Sequence, residues 1–170
     1  MPTERFVGEV SGMSGPDELV DQEIVDLAMS FRDLRWSWDP AEIGELAKRF
    51  GWTVEFEYKG SAQLDTGLGM ASGDIHCDAS GKVAKIAVAL CSYIDDTSPS
   101  ERWYLHDRFV HAVELVTRAL AEPTDRLPKE VPEVWWRGVE STVGLARSST
   151  VARIFLASNA HLDKLARGEM

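Results

Sequence analysis

From Val20 onward the apolar positions recur at intervals of four, three, four and three residues: Val20, Ile24, Leu27, Phe31 and Leu34. That spacing is one face of an amphipathic helix, and Gly15-Pro16-Asp17 punctuates its start. A second helix is predicted from Asp39-Pro40, a capping residue followed by a proline suited to the first helical position. Ile43, Leu46, Ala47 and Phe50 lie on its inner side, and Gly51 ends it. The period then changes to two. Trp52, Val54, Phe56 and Tyr58 alternate with Thr53, Glu55, Glu57 and Lys59, which predicts a strand with one apolar and one polar face. Further strands are expected over 62–66, 73–78 and 82–93, and the last, VAKIAVALCSY, is apolar enough for the centre of a sheet.

Asp95 to Ser100 reads as a loop whose serine and proline open a long helix to about Ala121, with Leu105, Phe109, Ala112, Val113, Val116 and Leu120 on its core face. Pro123, Pro128 and Pro132 mark the next segment as a connection. Three strands follow over about 133–137, 140–147 and 150–157, with Gly138 and Ser148-Ser149 at the turns. The predicted order is ααββββαβββ. Strands in runs, joined by links too short for helical crossovers, imply antiparallel pairing and an α+β fold. Residues 1–15 carry three glycines and little pattern and are expected to form a loose arm, leaving 16–170 as a single domain.

Charge adds the first functional constraint. Eighteen basic against twenty-eight acidic residues give a net charge of −10, a field that repels nucleic acid and anionic lipid and attracts a basic protein partner. The acids concentrate on the outer face of the first helix, where Asp21, Glu23 and Asp26 continue past the turn that the helix dipole explains. No apolar run approaches the roughly 20 residues of a membrane helix, and MPTERFVGEVSGMSG lacks a basic start followed by an apolar block. A cytoplasmic location is therefore expected, with Cys77 and Cys91 as reduced thiols.

The stretch TGLGMASG, Thr66 to Gly73, resembles a phosphate cradle in its glycine content. A dinucleotide loop needs a helix directly after its glycines, and GDIHCDASGK is too short and turn-rich to supply one. The expected role is a turn in which glycines supply positive φ. His76 and Cys77 are adjacent on a strand and point to opposite faces, so they do not chelate one metal together. His106 and His111 are five apart on a helix and share no face, while Asp107 and His111, four apart, suit a surface pair. Asp95-Asp96 offers too few alternating oxygens for a cation loop. With no hydrolase elbow, zinc-protease helix, P-loop or C-x-x-C in the chain, neither a catalytic residue nor a metal or cofactor is expected.

Six tryptophans remain to be placed, including the adjacent Trp135 and Trp136. Strand alternation sends one into the core and the other to a covering helix, the arm or a partner, and the sequence does not assign which.

LRWSWDPAEIGELAKRFGW (34–52), LDTGLG with a following SG (64–73), EPTDRLPKEVPEVWWRGVESTVGL (122–145) and SNAHLDKL (158–165) together resemble a family of uncharacterised actinobacterial proteins. The shared motifs are structural, so the resemblance brings no catalytic or binding residues. As a class, such small acidic α+β proteins resemble immunity proteins encoded beside secreted toxins. That analogy implies a non-enzymatic protein that neutralises a toxin domain, with the acidic helix and Glu55 and Glu57 meeting a basic surface. The alternatives are a secretion-associated chaperone and a small-molecule binder or enzyme; a toxin-like or a metabolic neighbouring gene discriminates between them.

Overall fold

The computed structural model describes residues 17–168; the expected N-terminal arm lies outside the described residues. In chain order the elements are helix α1 (Asp21–Asp33), a 3-10 turn (Pro40–Glu42) running into α2 (Ile43–Phe50), strands β1 (Thr53–Tyr58), β2 (Ser61–Asp65), β3 (Gly73–Cys77) and β4 (Val83–Ala89), helix α3 (Pro99–Leu120), strands β5 (Asp125–Leu127), β6 (Glu133–Arg137), β7 (Ser141–Arg147) and β8 (Ala152–Ser158), and helix α4 (Asn159–Ala166). The strands form one sheet in the order β1-β2-β3-β4-β8-β7-β6-β5, with every adjacent pair antiparallel. Two four-stranded meanders thus meet at the β4–β8 pair. The architecture is α+β with an antiparallel sheet, as the strand runs require.

Local chemistry sets the helix ends. Asp39 accepts from the Ala41 amide at 2.9 Å ahead of Pro40, and Gly51 closes α2 at φ 77°. Ser98 accepts from the Glu101 amide ahead of Pro99, and Ser158 accepts from the His161 amide. The sheet has two unequal faces. One carries the main core, in which Leu64, Ile75, Ile86, Leu145, Ile154 and Leu156 meet Ile24 and Phe31 of α1 and Leu105, Ala112 and Val116 of α3. The opposite face holds a smaller cluster, Ala87, Phe155, Ala157 and Leu162, where α4 packs. At its centre the Phe155 ring lies across Gly144 on the neighbouring strand; a Cβ there would sit 2.1 Å from Phe155 Cζ, so no residue but glycine fits.

Four sequence expectations are corrected. β5 and α4 extend the predicted order: β5 hides in the proline-marked connection, and α4 is a short helix after the last strand. The 82–93 strand stops at Ala89, after which Cys91 bridges Glu18 and the chain turns toward α3. On α1, Val20 is exposed and Ala28 is buried instead, because the chain enters the helix at Val20 as its cap. The fourth correction bears on function. The alternation over β1 is broken by a bulge: Val54 pairs with Leu64 but Phe56 with Gln63, leaving Glu55 as the extra residue. Beyond it the two faces exchange roles. Glu57 lies opposite buried Ala62 on the helix side, while Phe56 and Tyr58 turn to the other face, exposed.

Candidate functional site

The glycine loop between β2 and β3 is a turn. Gly67 and Gly69 take φ values of 120° and 97°, conformations that side chains rarely adopt. The amides that would face a phosphate are already engaged: Asp65 Oδ1 accepts from Gly67 at 2.9 Å and Gly69 at 3.2 Å, and Glu55 Oε1 accepts from Ala71 at 2.9 Å. Two carboxylates of the chain fill the place of an anion. Titration of ATP or NAD into the protein by calorimetry should give no binding heat; a micromolar dissociation constant would contradict the assignment.

The acids of α1 divide into two groups. Asp21 Oδ1 lies 2.9 Å from His111 Nε2, which replaces the pair expected between Asp107 and His111. Beside it Glu18 pairs with Arg108 at 3.2 Å and accepts from the Tyr104 hydroxyl at 2.6 Å, so this end is fastened to α3. Burial and the Glu18 carboxylate push the Tyr104 phenol well above its ordinary pKa, which keeps it a donor. Glu23 accepts from the Val20 amide and holds the helix start. Among the described residues Asp26 meets only Gln22, one turn back, and Glu23 and Asp26 border a cleft of about 240 Å³ whose far wall includes Phe50, Trp52 and Thr66. The acidic face of α1 therefore runs toward the entry of β1.

β1 is a terminal strand of the sheet. Phe56 and Tyr58 stand side by side on it, ring centroids 6.4 Å apart and 12° from parallel, and are 58% and 60% exposed. On the opposite face of the strand, Glu57 makes no hydrogen bond or ion pair among the described residues. The other terminal strand, β5, is three residues long, whereas β1 offers six. The periodicity put both aromatics in the core, because a one-residue bulge leaves no mark in an apolar–polar pattern.

The tryptophan pair is on β6, six strands from β1, roughly 30 Å along the sheet. It does not share a surface with Glu55 and Glu57. Trp136 is the core member, 7% exposed, its Nε1 donating to Ala121 O at 2.8 Å. Trp135 lies half-buried on the opposite face, donating to Glu133 Oε1 at 2.7 Å and packing against the Phe155 cluster. Trp36 and Trp38, centroids 5.5 Å apart, border a separate cleft of about 460 Å³ with Trp136, Arg32, Arg35 and Glu140.

Both cysteines are free: Cys77 donates to Gly60 O, and Cys91, buried, has its thiol pushed up by desolvation. Among the described residues no group of three or more His, Cys, Asp or Glu side chains is placed to share a metal, and no helix is long and apolar enough to cross a membrane.

A family model described as a family of unknown function, DUF6301, matches residues 22–158, most of the chain. The chain belongs to DUF6301. The DUF6301 span runs from the first turn of α1 to the end of β8, so it contains Glu23, Asp26, Glu55, Glu57, Trp135 and Trp136 but neither Asp21 nor α4. Of the four resembling stretches, SNAHLDKL falls beyond it but for Ser158. No curated protein and no solved structure matched the chain.

Proposed function

We propose that this DUF6301 protein is a non-enzymatic, cytoplasmic binding protein of actinobacterial origin, an immunity protein that blocks a basic toxin domain through the β1 edge and the neighbouring acidic face of α1. The observation that carries the reading is Phe56 and Tyr58, two large aromatics exposed on one face of a terminal strand whose other face presents the unpaired Glu57. Aromatic side chains are enriched at protein interfaces and among their hot spots, and an edge strand adds unpaired backbone groups for a partner to meet. Glu57 and Asp26, with a net charge of −10 behind them, favour a cationic partner and speed its approach. Trp136 itself is covered by the helices and takes no part in this contact.

Co-expression with the product of the adjacent reading frame tests the proposal. That product alone should arrest growth, the protein should restore it, and Phe56→Ala combined with Glu57→Lys should restore it poorly. An adjacent product that neither arrests growth nor binds the protein would contradict the reading.

A further inference from the structure

The α4 face of the sheet holds an arrangement that a partner at the β1 edge leaves unused. β5, β6 and α4 close around a pocket of about 270 Å³. Phe155 is its floor, Trp135 one wall, and Leu162 and Leu165 of α4 the other. Four polar groups share the lining with these apolar walls: Lys85 from β4, His161 from α4, and Lys129 and Glu133, which pair with each other at 3.6 Å.

Lys85 is the anomaly. Lysines are rarely drawn under cover without a carboxylate beside them. Here the side chain is partly buried, and its Nζ stands 4.2 Å from the centroid of the Phe155 ring. It makes no ion pair and no hydrogen bond among the described residues. The carboxylates around it form their ion pairs with other cations. Glu133 accepts from Trp135 through Oε1 and meets Lys129 at 3.6 Å through Oε2; Asp78 meets Lys164 at 3.9 Å; Asp74 turns Oδ2 to His76 at 3.2 Å and leaves Oδ1 buried without a partner. Arg153 is held at the Tyr93 hydroxyl. In a strongly acidic protein, this half-covered ammonium rests on a π-surface and pairs with no acid among the described residues.

The His161 ring likewise has no hydrogen-bond partner among the described residues, and burial followed by the charge of Lys85 lowers its pKa, so it is a neutral imidazole able to donate to an anion. Burial also lowers the pKa of Lys85, while Glu133 and Asp74 oppose that shift. An anion seated on Nζ would favour the ammonium further.

We infer that the pocket between β6, β8 and α4 is a binding site for a small monocarboxylate with a compact apolar body, the carboxylate on Lys85 Nζ and the His161 ring and the body against Phe155, Trp135 and Leu162. A single negative charge matches the single unpaired cation. The Glu133 carboxylate in the same lining holds Lys129 and repels the second charge of a phosphate dianion, which makes a monoanion the better ligand. The site is independent of the β1 edge.

Phenylacetate is the probe, with phenylacetamide as the neutral isostere and acetate as the anion without a body. Calorimetry and ligand-observed NMR should show saturable binding of phenylacetate, with the amide and acetate each weaker by about tenfold or more, the value of one charge-assisted hydrogen bond or of the buried ring. Lys85→Met should abolish the preference for carboxylate over amide. Because it replaces an unpaired, partly buried charge with an apolar chain of like length, it should also melt no lower than the parent, so lost binding cannot be ascribed to unfolding. A second variant, Leu162→Ala, should weaken phenylacetate but keep the carboxylate preference. Equal binding of acid and amide, an unchanged preference in Lys85→Met, or no binding of phenylacetate would each overturn the inference.

Discussion

Trp136→Ala loses about 3–5 kcal/mol of stability, as removal of a large buried aromatic does. The side chain is 7% exposed within the main core, and its Nε1 caps the carbonyl of Ala121, which sits at φ 110° where α3 ends. Truncation therefore opens a cavity and also releases the last turn of α3. Trp135→Ala should cost only roughly 1–2 kcal/mol, in the ordinary range for point substitutions, because that ring is half-buried on the α4 face and its hydrogen bond to Glu133 is at the surface margin. At about 2–4 °C per kcal/mol for a chain of this size, paired thermal melts separate the two variants. Comparable losses would show that the two faces of β6 are equally covered and would contradict the assignment of Trp136 to the core.

The fold was legible where the apolar pattern is regular and long. The helix over α3 was read with its core face nearly complete, since Leu105, Phe109, Ala112 and Val116 follow a clean helical spacing and Ser98-Pro99 marks the start. The capping of α2 by Asp39 and Gly51 was equally local and equally readable. What escaped was set by tertiary pairing. β5 is three residues in a proline-rich link and is a strand only because β6 offers it Trp135, Val134 and Glu133 to pair with. α4 is eight residues with a weak apolar face, and it is held by Asn159, which accepts from Thr142 Oγ1 at 2.6 Å and donates to Gly138 O at 2.9 Å.

The candidate site was read in part. The acids of α1 and β1 were visible as charge, but their duties were not: Asp21 binds His111, Glu23 holds the helix start and Glu55 fastens the glycine loop. Only the folded chain separates these from Asp26 and Glu57. Phe56 and Tyr58 were hidden by the bulge at Glu55, and the Lys85 pocket depends on α4, so neither could be drawn from periodicity.

The second large effect is expected in binding. Phe56→Ala should weaken the complex with the adjacent gene product by about 2 kcal/mol or more, a loss typical of a central aromatic in an interface. It should leave the melting temperature nearly unchanged, because the ring is 58% exposed. Charge acts on the encounter instead. Asp26→Lys with Glu57→Lys removes two acids that carry no structural duty beyond the Asp26–Gln22 contact, so the fold is retained while the local field reverses. The most direct measurement is the stopped-flow association rate of that product with the parent protein and with this double variant, at low and at high salt. The rate constant should fall roughly tenfold or more in the variant at low salt, with the difference closing as salt screens the field; equal rates at low salt would contradict an acidic β1–α1 surface as the place where the partner docks.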